Sequence, residues 1–190
     1  MNLTDDEMLL ISKYRQLNRS QKEAVLASQQ SFKNWLQTSL SSIWNKVSSF
    51  FNDIWGWFRS AVTPKGKFHQ VWVDHNVYKN DRKGMKIHAK FDVDNVKDIP
   101  CRAAAYFYFN SGGKLTSNSN SYGTSDGQVC VSDGFTPPHE GTMYNNFELF
   151  MPYGELNMAD GKHDLKFYIK LYVKGGDFFA DSNWVYFTYG

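Results

Sequence analysis

Along residues 32–58, Leu36, Leu40, Ile43, Val47, Phe50, Ile54 and Trp57 fall on one line of a helix turning about 100° per residue. Trp44, Phe51, Trp55 and Phe58 widen that line into an arc of roughly 160°. The opposite side carries Asn34, Thr38, Ser41, Ser42, Asn45, Ser48, Ser49, Asn52 and Gly56, and the segment holds few charges. A large apolar face left uncovered invites aggregation, so it needs a partner. Three partners fit: the rest of the same protein, a second copy of the chain through a heptad run of about three repeats, or a membrane surface. Bulky aromatics opposite a weakly charged Ser/Thr-rich face suit insertion driven by apolar burial. At about 1 kcal/mol per Lys or Arg, electrostatic attraction to lipid adds little. Polar residues recur every turn, so the segment lacks the uninterrupted apolar run of about 20 residues that a spanning helix requires.

The rest of the first half is also helical in pattern. Thr4-Asp5-Asp6-Glu7 and Ser20-Gln21-Lys22-Glu23 both match the capping box. These signals predict a short helix over about 5–17 and a long one over about 21–60, closed by Pro64 and Gly66.

From Phe68 onward the period changes to two. Residues 85–94, MKIHAKFDVD, alternate apolar and polar positions as a half-buried antiparallel strand does, and 165–173, LKFYIKLYV, repeat the pattern. Further strands are predicted at about 68–74, 101–109, 127–132, 146–151 and 183–189, with a short crossover near 152–156. The spacing predicts an α+β protein in two parts: a helical segment at 1–63 with its long amphipathic helix, then an antiparallel β-sandwich of seven to eight strands at 67–190. Residues 110–127, NSGGKLTSNSNSYGTSDG, are rich in turn formers and read as a surface loop of the kind that often binds.

With 190 residues and 42% hydrophobic content, the chain can bury a core. Its net charge of +2 carries no basic footprint for nucleic acid. Asp5, Asp6 and Glu7 stand where a secretory signal would be positively charged, so a cytoplasmic location is expected, with any membrane association peripheral. Cys101 and Cys130, the only cysteines, read as two buried small hydrophobes kept reduced.

Several strings in the second half are familiar together: VWVDHN at 71–76, GMKIHAKFDVDN at 84–95, AYFYF at 105–109, TSDGQV at 124–129, NFELFMPYGEL at 146–156 and GKHDLKFYIKLY at 161–172. The region from about 68 to 190 resembles a bacterial C2-like or immunoglobulin-like β-sandwich accessory module of multidomain proteins. The resemblance implies an adaptor or localisation role and no catalytic residue, and it leaves out the helical half.

Chemistry is sparse. The five histidines, His69, His75, His88, His139 and His163, have no HExxH, HxH or Cys/His spacing. His88 alternates with Lys86 and Lys90 and reads as a solvated surface residue. No serine lies in a nucleophile elbow and no glycines form a phosphate loop. Calcium would draw on Asp92, Asp94 and Asp98 with Asp160, Asp164, Asp177 or Asp181, yet Asp92 and Asp94 continue an alternating strand and no compact calcium loop is present. The expectation is therefore no catalytic residue, no metal and no cofactor. Exposed rings at Trp72, Tyr106, Tyr108, Tyr168, Tyr172 and Trp184 leave carbohydrate binding open.

The favoured expectation is a non-enzymatic module with a membrane-active effector role. Its helix associates with a membrane or with other copies through Trp35, Leu36, Leu40, Ile43, Trp44, Val47, Phe50, Phe51, Ile54, Trp55 and Phe58, and its sandwich binds a protein partner. The alternative is a sandwich that binds calcium or glycan, the helix serving in packing or oligomerisation.

Overall fold

A computed structural model describes residues 5–39 and 62–190. The chain divides into two compact units, Met1–Thr63 and Pro64–Gly190. Within the described residues the first unit has three helices, α1 (Asp5–Arg15), α2 (Arg19–Leu26) and α3 (Gln29–Ser39). None of them is long and apolar enough to cross a membrane.

The capping box of α2 lies two residues before the expected one. Asn18 Oδ1 accepts from the Gln21 amide at 2.9 Å, and Gln21 Oε1 accepts from the Asn18 amide at 3.0 Å. Asn ranks among the best N-caps and Gln serves at the third position as Glu does. Glu23 is left to pair with Arg19 one turn back at 2.8 Å. The expected long helix is also interrupted. Ser28 Oγ accepts from the Ser31 amide at 3.1 Å, so a new helix starts after Ala27. Residues 40–61, the remainder of that predicted helix, lie outside the described residues.

The helical unit has its own small core. Leu10 and Tyr14 from α1, Val25 from α2, and Phe32 and Leu36 from α3 are buried together, with Trp35 and Val62 packed against them. The i, i+4 spacing of Leu10 with Tyr14 and of Phe32 with Leu36 puts each pair on one helix face.

The second unit is an antiparallel β-sandwich of eight strands. These are β1 (Lys65–Lys79), β2 (Arg82–Asp94), β3 (Cys101–Phe109), β4 (Cys130–Phe135), β5 (Thr142–Pro152), β6 (His163–Val173), β7 (Phe178–Asp181) and β8 (Val185–Tyr189). One sheet has the order β1-β2-β5, and the other β4-β3-β6, with β7 and β8 sharing the far edge of β6. The β1–β2 hairpin turns on Asn80 and Asp81, both left-handed at φ 50° and 57°, as a two-residue turn matched to strand twist demands. A single 3-10 turn, Tyr153–Leu156, makes the expected crossover after β5.

Alternation sorts the faces. Met85, Ile87, Ala89, Phe91 and Val93 of β2 join Ala103, Ala105 and Phe107 of β3 and Leu165, Phe167, Ile169 and Leu171 of β6 in one core. Strand β7 was not expected; its four residues show no alternation. Loop 110–127 carries more core than its composition implied. Leu115 is fully buried; its amide donates to the Phe107 carbonyl of β3 at 3.1 Å and its carbonyl accepts from the Val129 amide at 2.8 Å, while the Val129 carbonyl accepts from the Phe107 amide at 3.1 Å.

Both cysteines are buried free thiols on opposite faces of their sheet, Cys101 in the core and Cys130 opposite Tyr106 on the outer side. Burial pushes the thiol of Cys101 up to about 11 and that of Cys130 up to about 12. Burial likewise raises the Tyr14 phenol to about 12. In the unfolded chain these groups ionise at their ordinary values of 9.0 and 10.0. Above that range the unfolded state therefore binds fewer protons than the folded one, and stability falls as pH rises. Urea midpoints are expected to drop between pH 8 and pH 10.5, with both thiols inert to alkylation at pH 8 until the chain is unfolded. A constant midpoint with rapid labelling would show the thiols to be open to solvent.

Candidate binding face

Three strand-loop features converge on the outer face of the five-stranded sheet. Because Phe107 and Phe167 point into the core, Tyr106 and Tyr108 of β3 and Lys166, Tyr168, Lys170 and Tyr172 of β6 must point out. Register sets their neighbours: Tyr106 lies opposite Tyr168, Tyr108 opposite Lys166, Lys166 opposite Tyr186 of β8, and Lys170 opposite Asp181 of β7. Tyr168 stacks with Tyr106 at 5.9 Å and with Tyr108 at 5.8 Å.

Trp184 comes from residues 182–184, the break between β7 and β8. Ser182 fixes that break by accepting from the Ile169 amide at 2.8 Å and by donating its own amide to the Ile169 carbonyl at 2.8 Å. The indole stands nearly upright on the tyrosines, at 88° to Tyr108 and 71° to Tyr168, with centroid distances of 5.2 Å and 4.6 Å. Tyrosine floor and tryptophan wall border an open hollow of about 390 Å³, completed by Gly112, Lys166, Lys170, Asp181 and Ser182.

The electrostatics are mixed. Lys166 donates to the Asn110 carbonyl at 3.1 Å and lies 4.8 Å from the centre of the Trp184 ring. Lys170 pairs with Asp181 at 3.2 Å and sits over the Tyr168 and Phe178 rings. Burial, then the hydrogen bond with Tyr108, raises the Tyr168 phenol well above its ordinary range; burial first, then the neighbouring Cys130 and tyrosines, does the same for Tyr106. Both hydroxyls are therefore neutral donors and acceptors at physiological pH.

Of the six rings named from sequence, five belong to this face: Tyr106, Tyr108, Tyr168, Tyr172 and Trp184. Trp72 belongs to the other sheet, stacked on His88 at 4.9 Å and 4°. Lys166 and Lys170 were not named from sequence; their alternation with Tyr168 and Tyr172 in β6 is the signal that could have found them. Phe178 and Tyr186, 53% and 61% exposed, flank the face and carried no sequence signal beyond their aromatic type.

The expectation of a solvated His88 is corrected. Its ring is 6% exposed, beneath Trp72, with Nε2 3.1 Å from Asp74 Oδ2 and Nδ1 2.7 Å from Asn146 Oδ1. A polar outward position is covered here because the register puts a large ring on the adjacent strand directly opposite it.

Other candidate groups are engaged singly. His75 bonds Tyr153 Oη at 3.0 Å, and His163 bonds the Ala159 carbonyl at 3.0 Å. Asp92 pairs with His69 at 2.9 Å, and Thr188 donates to Asp164 at 2.9 Å. Among the described residues no three His, Cys, Asp or Glu side chains converge in the manner a metal ion needs.

For the helical stripe, the described residues include Trp35 and Leu36. Leu36 is fully buried in the helical core and Trp35 packs edge-on against Tyr14 at 6.2 Å, so in this fold both are used in packing. Leu40, Ile43, Trp44, Val47, Phe50, Phe51, Ile54, Trp55 and Phe58 lie outside the described residues. No protein-family model and no curated protein matches this sequence.

Proposed function

We propose that the chain is a non-enzymatic binding module, in which the sandwich, C2-like or immunoglobulin-like in kind, captures a partner on the outer face of its five-stranded sheet. The helical segment then brings that sandwich to a membrane surface or to other copies. The observation that carries this reading is the cluster of tyrosines around Trp184, which remains 41% exposed. Tyr and Trp supply large contact area at small entropic cost and dominate binding hot spots.

An array of saccharides, lipids and peptides probed with wild-type chain and with the Trp184→Ala/Tyr186→Ala double variant tests the face. Wild type is expected to hold ligands that the variant loses; identical patterns would sink the reading. For the helix, Phe50→Asp with Ile54→Asp in the full chain is expected to abolish liposome flotation or self-association while the sandwich stays folded. Loss of the sandwich's near-ultraviolet circular dichroism in that variant would make the stripe ordinary core.

A second reading draws on Leu36 and Trp35, which are packed inside the helical unit. It makes the helices a packing or oligomerisation element and leaves ligand binding to the sandwich alone. Flotation of neither wild type nor variant would favour it.

A further inference from the structure

Resting on the outer-face reading, we propose that the hollow between Trp184 and the tyrosine floor is a subsite for a carboxylate-bearing sugar, a uronic acid unit of an acidic oligosaccharide. The argument has three parts: shape, hydrogen-bond inventory and charge.

The shape is an L. Tyr108 and Tyr168 lie within 30° of one another as a floor, and Trp184 rises from them close to perpendicular. A flat nucleobase gains most between two parallel planes, which this hollow lacks. A pyranose ring instead offers an apolar C–H face and a polar rim of oxygens. Its face can pack on one ring while its edge meets groups projecting from the other surface, gaining dispersion and apolar burial. The hollow's volume of about 390 Å³ lies within the usual range for small-molecule sites. Gly112 borders it with nothing within 4 Å of where a Cβ would stand, so the loop side leaves room for the ligand.

The inventory favours acceptors on the ligand. Ser182 Oγ has its needs met, accepting from the Ile169 amide and donating to the Asn183 carbonyl at 2.8 Å each. Each lysine ammonium has three protons to give. Lys166 spends one on Asn110, and Lys170 directs its proton or protons at Asp181. Both ammonium groups therefore keep unspent donors at the rim, which the carboxylate and hydroxyl oxygens of a uronic acid would take up.

Charge sets the class. Lys166 and Lys170 against Asp181 leave the lining with one net positive charge. A single carboxylate balances it. A phosphate, near two negative charges, would ask for more converging cations than these. Asp181 meanwhile can accept from a sugar hydroxyl beside the carboxylate, a pairing that a simple anion cannot use.

The test is titration of isotope-labelled full chain, followed by amide and indole resonances, with hexagalacturonate, with neutral cellohexaose and with inorganic sulfate. Hexagalacturonate is expected to shift Tyr108, Lys166, Tyr168 and the Trp184 indole. It should bind about 10-fold or more tightly than cellohexaose, the value of one charge-assisted hydrogen bond. Trp184→Ala and Lys166→Met should each weaken it about 10-fold, with the rest of the spectrum unchanged. Equal affinity for the two saccharides, or the same shifts from sulfate alone, would overturn the proposal. So would silence from all three probes. In that event the array distinguishes the two failures: ligands still lost in the Trp184→Ala/Tyr186→Ala variant would leave the outer face as the binding surface, whereas unchanged array patterns would remove it as well.

Discussion

Phe91→Ala is expected to cost the sandwich about 3–5 kcal/mol, the range for removing a fully buried phenyl ring. Phe91 is wholly inaccessible and touches four other rings, Phe68, Phe135, Tyr144 and Phe147, at centroid distances of 5.1–5.7 Å among Tyr144, Phe135, Phe68 and Phe147. Those neighbours come from β1, β4 and β5, so the cavity left behind has walls anchored in separate strands and cannot readily collapse. Small domains have about 5–15 kcal/mol in total, so this one truncation would remove a large part of the margin. Urea unfolding monitored by near-ultraviolet circular dichroism reads the change as a lowered midpoint with an unchanged slope. Phe150→Ala, at a half-buried position on an outer face under Lys79, is the control and should cost far less. Equal losses at the two sites would mean that the ring cluster around Phe91 is not the centre of the core.

The second large effect is expected at Gly84, and its origin is the opposite one: no room. A Cβ there would stand 2.3 Å from the Met151 carbonyl oxygen and 2.8 Å from Pro152 Cα. Both are backbone atoms of β5, so no rotamer change relieves the clash and the β2–β5 pairing must open. Gly84→Ala should therefore destabilise by about 3 kcal/mol, the upper end for overpacking. Gly154→Ala meets nothing within 4 Å and makes the matched control, expected to be close to neutral. If Gly84→Ala melts like wild type, the close approach of these strands is not as described.

How much of this was legible depended on whether the deciding neighbour was local. Strand β3 was predicted at 101–109 and is found there, because small or aromatic inward residues alternate with Arg102, Tyr106 and Tyr108. The helical break was not legible: Ser28 is one serine among many, and only its bond to the Ser31 amide makes it a cap. Burial of His88 was also hidden, since it depends on Trp72 lying opposite across a strand pair. For the binding face, Tyr168 was named from sequence whereas Lys166 and Lys170 were not, although their alternation with it within β6 is the local signal that they share a side. What sequence could not reveal was that Trp184, distant in the chain from Tyr108, would be brought upright onto it by a break between two short strands.

That break has a second consequence, concerning association between copies. The far edge of β6's sheet is occupied by β7 and β8, of four and five residues, with residues 182–184 bulging between them. An incoming extended chain would meet no continuous row of amides and carbonyls there, and the bulge carries the bulk of an indole ring. Short, interrupted edges of this kind resist templated strand addition. The segment that positions Trp184 thus also protects this edge of the sheet from strand addition, and lengthening β7 into β8 would be expected to trade that protection away.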